Sequence, residues 1–151
     1  MPYITSPLVL KASALRLQID HLGHALGAEA LVRWRHPERG LIGPNEFISF
    51  AEQSDLILAI GDWVLLTACN QLSLWQQQTP TSKLTLSVNI SASQVRQPNF
   101  VANVVEVLKQ TGANPNTLKL EITESMLITD INDVIEKNRA TCGHRNTVCL
   151  R

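Results

Sequence analysis

Apolar and polar residues alternate along four stretches of the chain, and apolar residues recur every three to four positions in the stretches between them. ALRLQID (14–20) alternates as a strand, and HLGHALG supplies a turn through Gly23. GAEALVRW (27–34) predicts a second strand, with Ala28, Ala30, Val32 and Trp34 on one face and Glu29, Leu31 and Arg33 on the other. The chain then turns through Gly43 and Pro44 into a helix carrying Phe47, Ile48 and Ala51 on one face. A longer helix follows, with Ile60, Val64, Ala68, Leu72 and Trp75 in its stripe, and it ends in the polar run QQQTPTSK. LTLSVNIS (84–91) has the cleanest alternation: Leu84, Leu86, Val88 and Ile90 oppose Thr85, Ser87 and Asn89. Phe100, Val104 and Leu108, flanked by Val101 and Val105, form the next helical face, which Gly112 closes. TLKLEIT (117–123) alternates again, and Asp130 is an N-cap for a last helix over INDVIEKNRA.

Strands separated by helical segments predict βαβ units on a parallel sheet, an α/β fold. In three of the strands the polar face carries a ligand-type group: Glu29 with Arg33, then Asn89, then Glu121. In a (β/α) barrel the apolar outer faces, ending here in Trp34, Ile90 and Ile122, pack under helices. Inward-facing residues near the strand ends carry the chemistry. Glu29, Asn89 and Glu121 are then expected to converge. Two carboxylates and an amide are hard oxygen donors, suited to Mg²⁺ or Mn²⁺ rather than zinc. Arg33, about 13 Å along the strand from Glu29, has the fork that binds a phosphate bidentately. The competing readings are plain: polar residues facing solvent on half-buried strands, and for Arg33 an ion pair with Glu29 or Glu121.

Composition narrows the partners. Thirteen basic residues balance thirteen acidic ones, and 44% of the 151 residues are hydrophobic. That describes a globular chain without the broad basic footprint of a nucleic-acid or acidic-membrane binder. Asp62 interrupts the longest apolar run, LILAIGDWVLL, so no membrane segment is expected. The start lacks a signal-peptide pattern, which makes the cytoplasm the expected compartment. The three cysteines have no framework spacing; Cys69 falls within a helical pattern and reads as a core residue. His21, His24 and His36 lack metal spacing with any cysteine, and Cys142, His144 and Cys149 match no common zinc site. Arg35, His36, Glu38 and Arg39 read as a solvated turn, and Trp63 and Trp75 as core residues of their helix.

EALVR (29–33), RHPERGLIGPNEFI (35–48), GDWVL (61–65), SVNIS (87–91), TG (111–112) and LEITES (120–125) occur in an order that resembles the EAL domain, a bacterial phosphodiesterase acting on cyclic di-GMP. The resemblance covers about residues 14–137, leaving 1–13 and 138–151 as segments without family signature. It implies a modified TIM-like (β/α) barrel with one antiparallel strand, and hydrolysis of cyclic di-GMP to linear pGpG with two Mg²⁺ or Mn²⁺ ions. By motif match it places Glu29, Asn89 and Glu121 on metal ligands, Arg33 on a phosphate contact and Glu124 on a residue that steadies an active-site loop. Against the family pattern, the chain contains no adjacent pair of aspartates, which in the family bind the metals and position the water. Either the family's Gln-Pro before the first strand is deleted, or Arg16 stands for its substrate-contacting glutamine. A closed barrel takes about 250 residues. The expectation is therefore a partial EAL-type barrel, roughly the first half, with a tail of the kind that a frameshift or an early stop would produce. It is expected to be inactive alone and to self-associate through open sheet edges; the alternative is a catalytically dead regulatory or protein-interaction module.

Overall fold

The computed structural model describes residues 13–122 together with Cys149 and Leu150. Strands β1 (Ser13–Ile19) and β2 (Ala25–Val32) form an antiparallel hairpin. Its turn is held by the Asp20 carboxylate, which accepts from the backbone N–H groups of Leu22 and His24 at 2.8 and 2.9 Å, while Gly23 adopts φ +83°. The His24 N–H is the main cause that holds the Asp20 carboxyl below its ordinary range. The second strand starts two residues earlier than its alternation suggests, because Ala25 already pairs with Ile19 across a bulge.

A short hairpin of β3 (Trp34–His36) and β4 (Gly40–Ile42) follows, where the sequence suggests only a solvated turn. His36 Nδ1 accepts from the N–H groups of Glu38 and Arg39, closing the turn, and the Trp34 ring packs edge-on against Phe47. Helix α1 (Pro44–Gln53) opens with Pro44, whose missing N–H would have no partner in a first turn. Helix α2 (Leu56–Gln76) buries Ile60, Val64, Ala68 and Leu72 as expected, and adds Ile57, Leu65 and Cys69. Cys69 is fully buried, and burial pushes its thiol up to about 11. At 21 residues, α2 is long and apolar enough to cross a membrane by length and composition alone, even with Asp62 within it. Here it is the central core helix, and Asp62 faces outward to accept a hydrogen bond from Asn103 at 2.7 Å.

Strand β5 (Thr85–Ile90) joins β2 in parallel, and α3 (Ala92–Val95) and α4 (Phe100–Thr111) lead on to β6 (Leu118–Ile122) beside β5. Gly112 ends α4 in the left-handed region (φ +68°), its N–H returning to Leu108 O. Val107 joins Phe100, Val104 and Leu108 among the buried residues of α4, as its i+3 spacing from Val104 permits. The sheet order is β1-β2-β5-β6-β7, where β7 is the pair Cys149–Leu150, parallel to Lys119 and Leu120. The last residues thus include a strand that their lack of alternation hides. Asp130 and the INDVIEKNRA segment, with Cys142 and His144, lie outside the described residues.

One face of this sheet is apolar and nearly closed to water: Ala28, Ala30, Leu86, Val88, Ile90, Leu118 and Leu120 are each at most 4% exposed. Helix α2 packs on it through β2 and β5 and also contacts α4. Burying Leu or Val side chains of this kind is worth about 1.5–3 kcal/mol each before entropy is counted. Gly27 has a structural reason: a Cβ there would sit 2.3 Å from the Thr85 carbonyl oxygen, so glycine lets β2 and β5 pair closely. The same face is open at β1, where Leu15, Leu17 and Ile19 remain 44–59% exposed.

Candidate active site

Alternation puts Arg16, Glu29, Ser87, Asn89, Lys119 and Glu121 on the other face of the sheet, and register decides which of them meet. Arg16 lies opposite Glu29, Glu29 beside Ser87, Ser87 beside Lys119, and Asn89 beside Glu121. The Glu29 side chain is 10% exposed and has two partners. Its Oε1 accepts from Asn89 Nδ2 at 2.9 Å, and its Oε2 forms an ion pair with the Arg16 guanidinium. A carboxylate this far from water needs such partners, because desolvation without them costs several kcal/mol. Next to it, Ser87 is 1% exposed and its Oγ has no hydrogen-bond partner among the described residues. A buried hydroxyl without a partner is uncommon and marks a place where a water or ligand oxygen fits.

Convergence of Glu29 with Asn89 follows the sequence expectation, and Glu121 stands directly across from Asn89, half-buried. Arg33 takes a different position. The strand breaks at Arg33, between β2 and β3, and its Nη1 donates to the carbonyl of Val32 at 2.9 Å. The ion pair suggested for it with Glu29 is instead made by Arg16. Glu124 lies outside the described residues.

Sequence reasoning did not find Arg16 as the partner of Glu29, nor Ser87 as an orphaned polar group. Alternation in ALRLQID places Arg16 on the right face, but only the antiparallel register selects Glu29 among the residues of β2. For Ser87 the signal was the strand pattern itself, which puts it one register step from Glu29.

The donor chemistry fits a hard divalent cation. Glu29, Asn89 and Glu121 supply carboxylate and amide oxygens, the type that Mg²⁺ and Mn²⁺ prefer, and the unpaired Ser87 oxygen lies on the same face. Among the described residues no cluster of three or more His, Cys, Asp and Glu side chains exists, so an amide must complete any such set. The arrangement is a polar floor across the three parallel strands β2, β5 and β6, with Asn89 and Glu121 near the C-terminal ends of theirs, where (β/α) folds place their chemistry.

Similarity to known proteins agrees with this geometry. The chain is 44% identical over 117 residues to an uncharacterized signaling protein of Caulobacter vibrioides, covering 78% of this chain and 14% of the relative. It is 41% identical over 111 residues to the cyclic di-GMP phosphodiesterase PdeR of Escherichia coli, covering 74% of this chain and 16% of that protein. Among solved structures, the PaMucR phosphodiesterase in complex with c-di-GMP superposes with a TM-score of 0.76 at 36% identity, covering 84% of this chain and 53% of the other. The chain thus spans about half of that solved structure and under a fifth of those two relatives. The EAL domain family matches residues 15–142, and the chain belongs to that family as a partial, TIM-barrel-like α/β domain.

Proposed function

We propose that this chain carries the metal- and phosphate-binding first portion of a cyclic di-GMP phosphodiesterase domain. One observation carries the reading: Glu29 and Asn89, 60 residues apart in sequence, meet at 2.9 Å with Glu121 in register beside Asn89. In this reading Glu29, Asn89 and Glu121 hold Mg²⁺ or Mn²⁺, which supplies an activated water when bound. Relatives and structural neighbours named for cyclic di-GMP support the substrate class.

What the chain's own residues do is bind and orient. Glu29 and Asn89 lie on adjacent parallel strands, whose pairing fixes their spacing; Glu29 offers carboxylate oxygens, and Asn89 offers its amide oxygen once its Nδ2 releases Glu29 Oε1. Arg33 holds a phosphate by turning its guanidinium from the Val32 carbonyl, a neutral partner easily exchanged for an anion. Ser87 offers its free hydroxyl to a water or ligand oxygen. Two-metal hydrolysis would also need further carboxylates to hold the second ion and orient the water. The 151 residues hold no adjacent pair of aspartates for that role. Binding a phosphate without an activated nucleophile stabilises the ground state alone. The chain by itself is therefore a binding platform, with hydrolysis belonging to a site completed by further residues. The exposed Leu15, Leu17 and Ile19 on β1, an edge strand of the sheet, support self-association as a route to such completion.

The test is chromatography for pGpG after incubating the chain with cyclic di-GMP and Mn²⁺. The expected rate equals that of buffer. Turnover that vanishes in Glu29→Ala would overturn the platform reading and show that a complete site forms.

A further inference from the structure

We propose that Arg16 is a built-in cation of this site: its guanidinium holds the Glu29 carboxylate and competes with any divalent ion for it. The inference rests on the reading of Glu29, Asn89 and Glu121 as a metal site, and adds a residue that opposes metal binding from within the chain.

Four observations converge on it. Register places Arg16 directly across from Glu29, so the ion pair is built into the β1–β2 hairpin rather than reached by a wandering side chain. Both Glu29 oxygens are occupied, Oε2 by Arg16 and Oε1 by Asn89 Nδ2. The Asn89 amide also presents its nitrogen to Glu29, whereas a shared cation would be met by its oxygen. The partners are unequal, with the Glu29 side chain 10% exposed and that of Arg16 69% exposed.

Those facts set the sign and size of the effect. A divalent ion seeking Glu29 meets a carboxylate whose charge is already compensated, and a fixed positive charge beside it. A unit charge roughly 5 Å from a divalent ion, screened as in water, disfavours the ion by about tenfold. Because Arg16 is mostly exposed it can swing into solvent, which makes it a graded competitor rather than a permanent block. The floor is thus a site whose metal occupancy responds to what draws Arg16 away, such as the phosphate of an incoming ligand, which a guanidinium binds well.

The experiment is a Mn²⁺ titration followed by electron paramagnetic resonance, which reads free Mn²⁺ and needs no catalysis. It compares the full chain with Arg16→Gln, Arg16→Lys, Glu29→Gln and Arg39→Gln. Arg39 pairs with the exposed Glu46 and controls for loss of a surface charge. Arg16→Gln should bind Mn²⁺ about tenfold more tightly than the unchanged chain, with Arg16→Lys and Arg39→Gln within about threefold of it. Adding Glu29→Gln to Arg16→Gln should abolish the gain. Equal affinity of Arg16→Gln and the unchanged chain, with both lost in Glu29→Gln, would leave the metal site standing and refute the role of Arg16. No binding that depends on Glu29 in any variant would overturn the metal-site reading itself. Arg16→Met, which keeps an unbranched apolar stem, takes the place of Arg16→Gln if circular dichroism shows the latter unfolded.

Discussion

Gly61→Ala in the middle of α2 should destabilise the chain, although alanine is the better helix former. An ideal Cβ at position 61 would lie 1.8 Å from Gln94 Nε2 and 2.2 Å from its Cδ. Gln94 is 5% exposed and serves as the third residue of a capping box on α3. Its Oε1 accepts from the Ser91 N–H and hydroxyl, both at 3.1 Å, and its own N–H donates to Ser91 Oγ at 3.3 Å. The side chain is flexible in principle but committed here, so making room for the methyl breaks the box. Losing the cap costs about 1 kcal/mol, and leaving the Ser91 N–H without its partner adds about 1–2 kcal/mol. Replacing glycine by alanine in a helix returns about 0.5–1 kcal/mol. The net loss is about 1–2 kcal/mol, which at a urea m-value of roughly 2 kcal/mol/M lowers the unfolding midpoint by about 0.5–1 M. The sharper test is the double-mutant cycle. In a Gln94→Ala background the obstruction is gone, and Gly61→Ala should become stabilising by about 0.5–1 kcal/mol. Urea melts of the four proteins followed by far-ultraviolet circular dichroism decide it. A midpoint for Gly61→Ala equal to or above that of the unchanged chain would refute the reasoning. So would a Gly61→Ala effect of the same sign in both backgrounds.

Leu17 on β1 is 59% exposed between Leu15 and Ile19. If that stripe drives self-association, Leu17→Lys should shift light scattering toward the monomer mass, and an unchanged mass would exclude the stripe as the contact. Cys69 is fully buried, and burial raises its thiol from 9.0 to about 11. Below pH 9 the thiol is protonated whether folded or unfolded, so stability is unaffected there. Above pH 9 the unfolded chain loses the proton first, so stability falls as pH rises from 9 toward 11. Peptide-mapped alkylation at pH 8 should label Cys69 at least tenfold more slowly in buffer than in urea; equal rates would show that the helix does not shield it.

Local pattern was enough for most of the frame. Period-two alternation located β1, β2, β5 and β6, and period-3.6 stripes located α1, α2 and α4, because these periodicities record which face meets the core. The same alternation put Glu29, Asn89 and Glu121 on one polar face, and ordered motifs tied that face to a family. Other features depend on contacts between segments distant in sequence, to which no periodicity within either segment is sensitive. Arg16 pairs with Glu29 only because an antiparallel hairpin sets their register, and Asn89 reaches Glu29 only because β5 lies parallel beside β2. The strand through EALVRW breaks at Arg33, and Trp34 beyond the break packs on Phe47 of α1, a contact that a continuous alternation conceals. The need for glycine at position 61 comes from Gln94, 33 residues later, which fills the space a side chain there would occupy. Sequence alone decided which faces of the elements are apolar and which polar, since side-chain direction follows from local backbone geometry. Tertiary structure decided which polar groups touch, since register and close approach are fixed by how the elements pack.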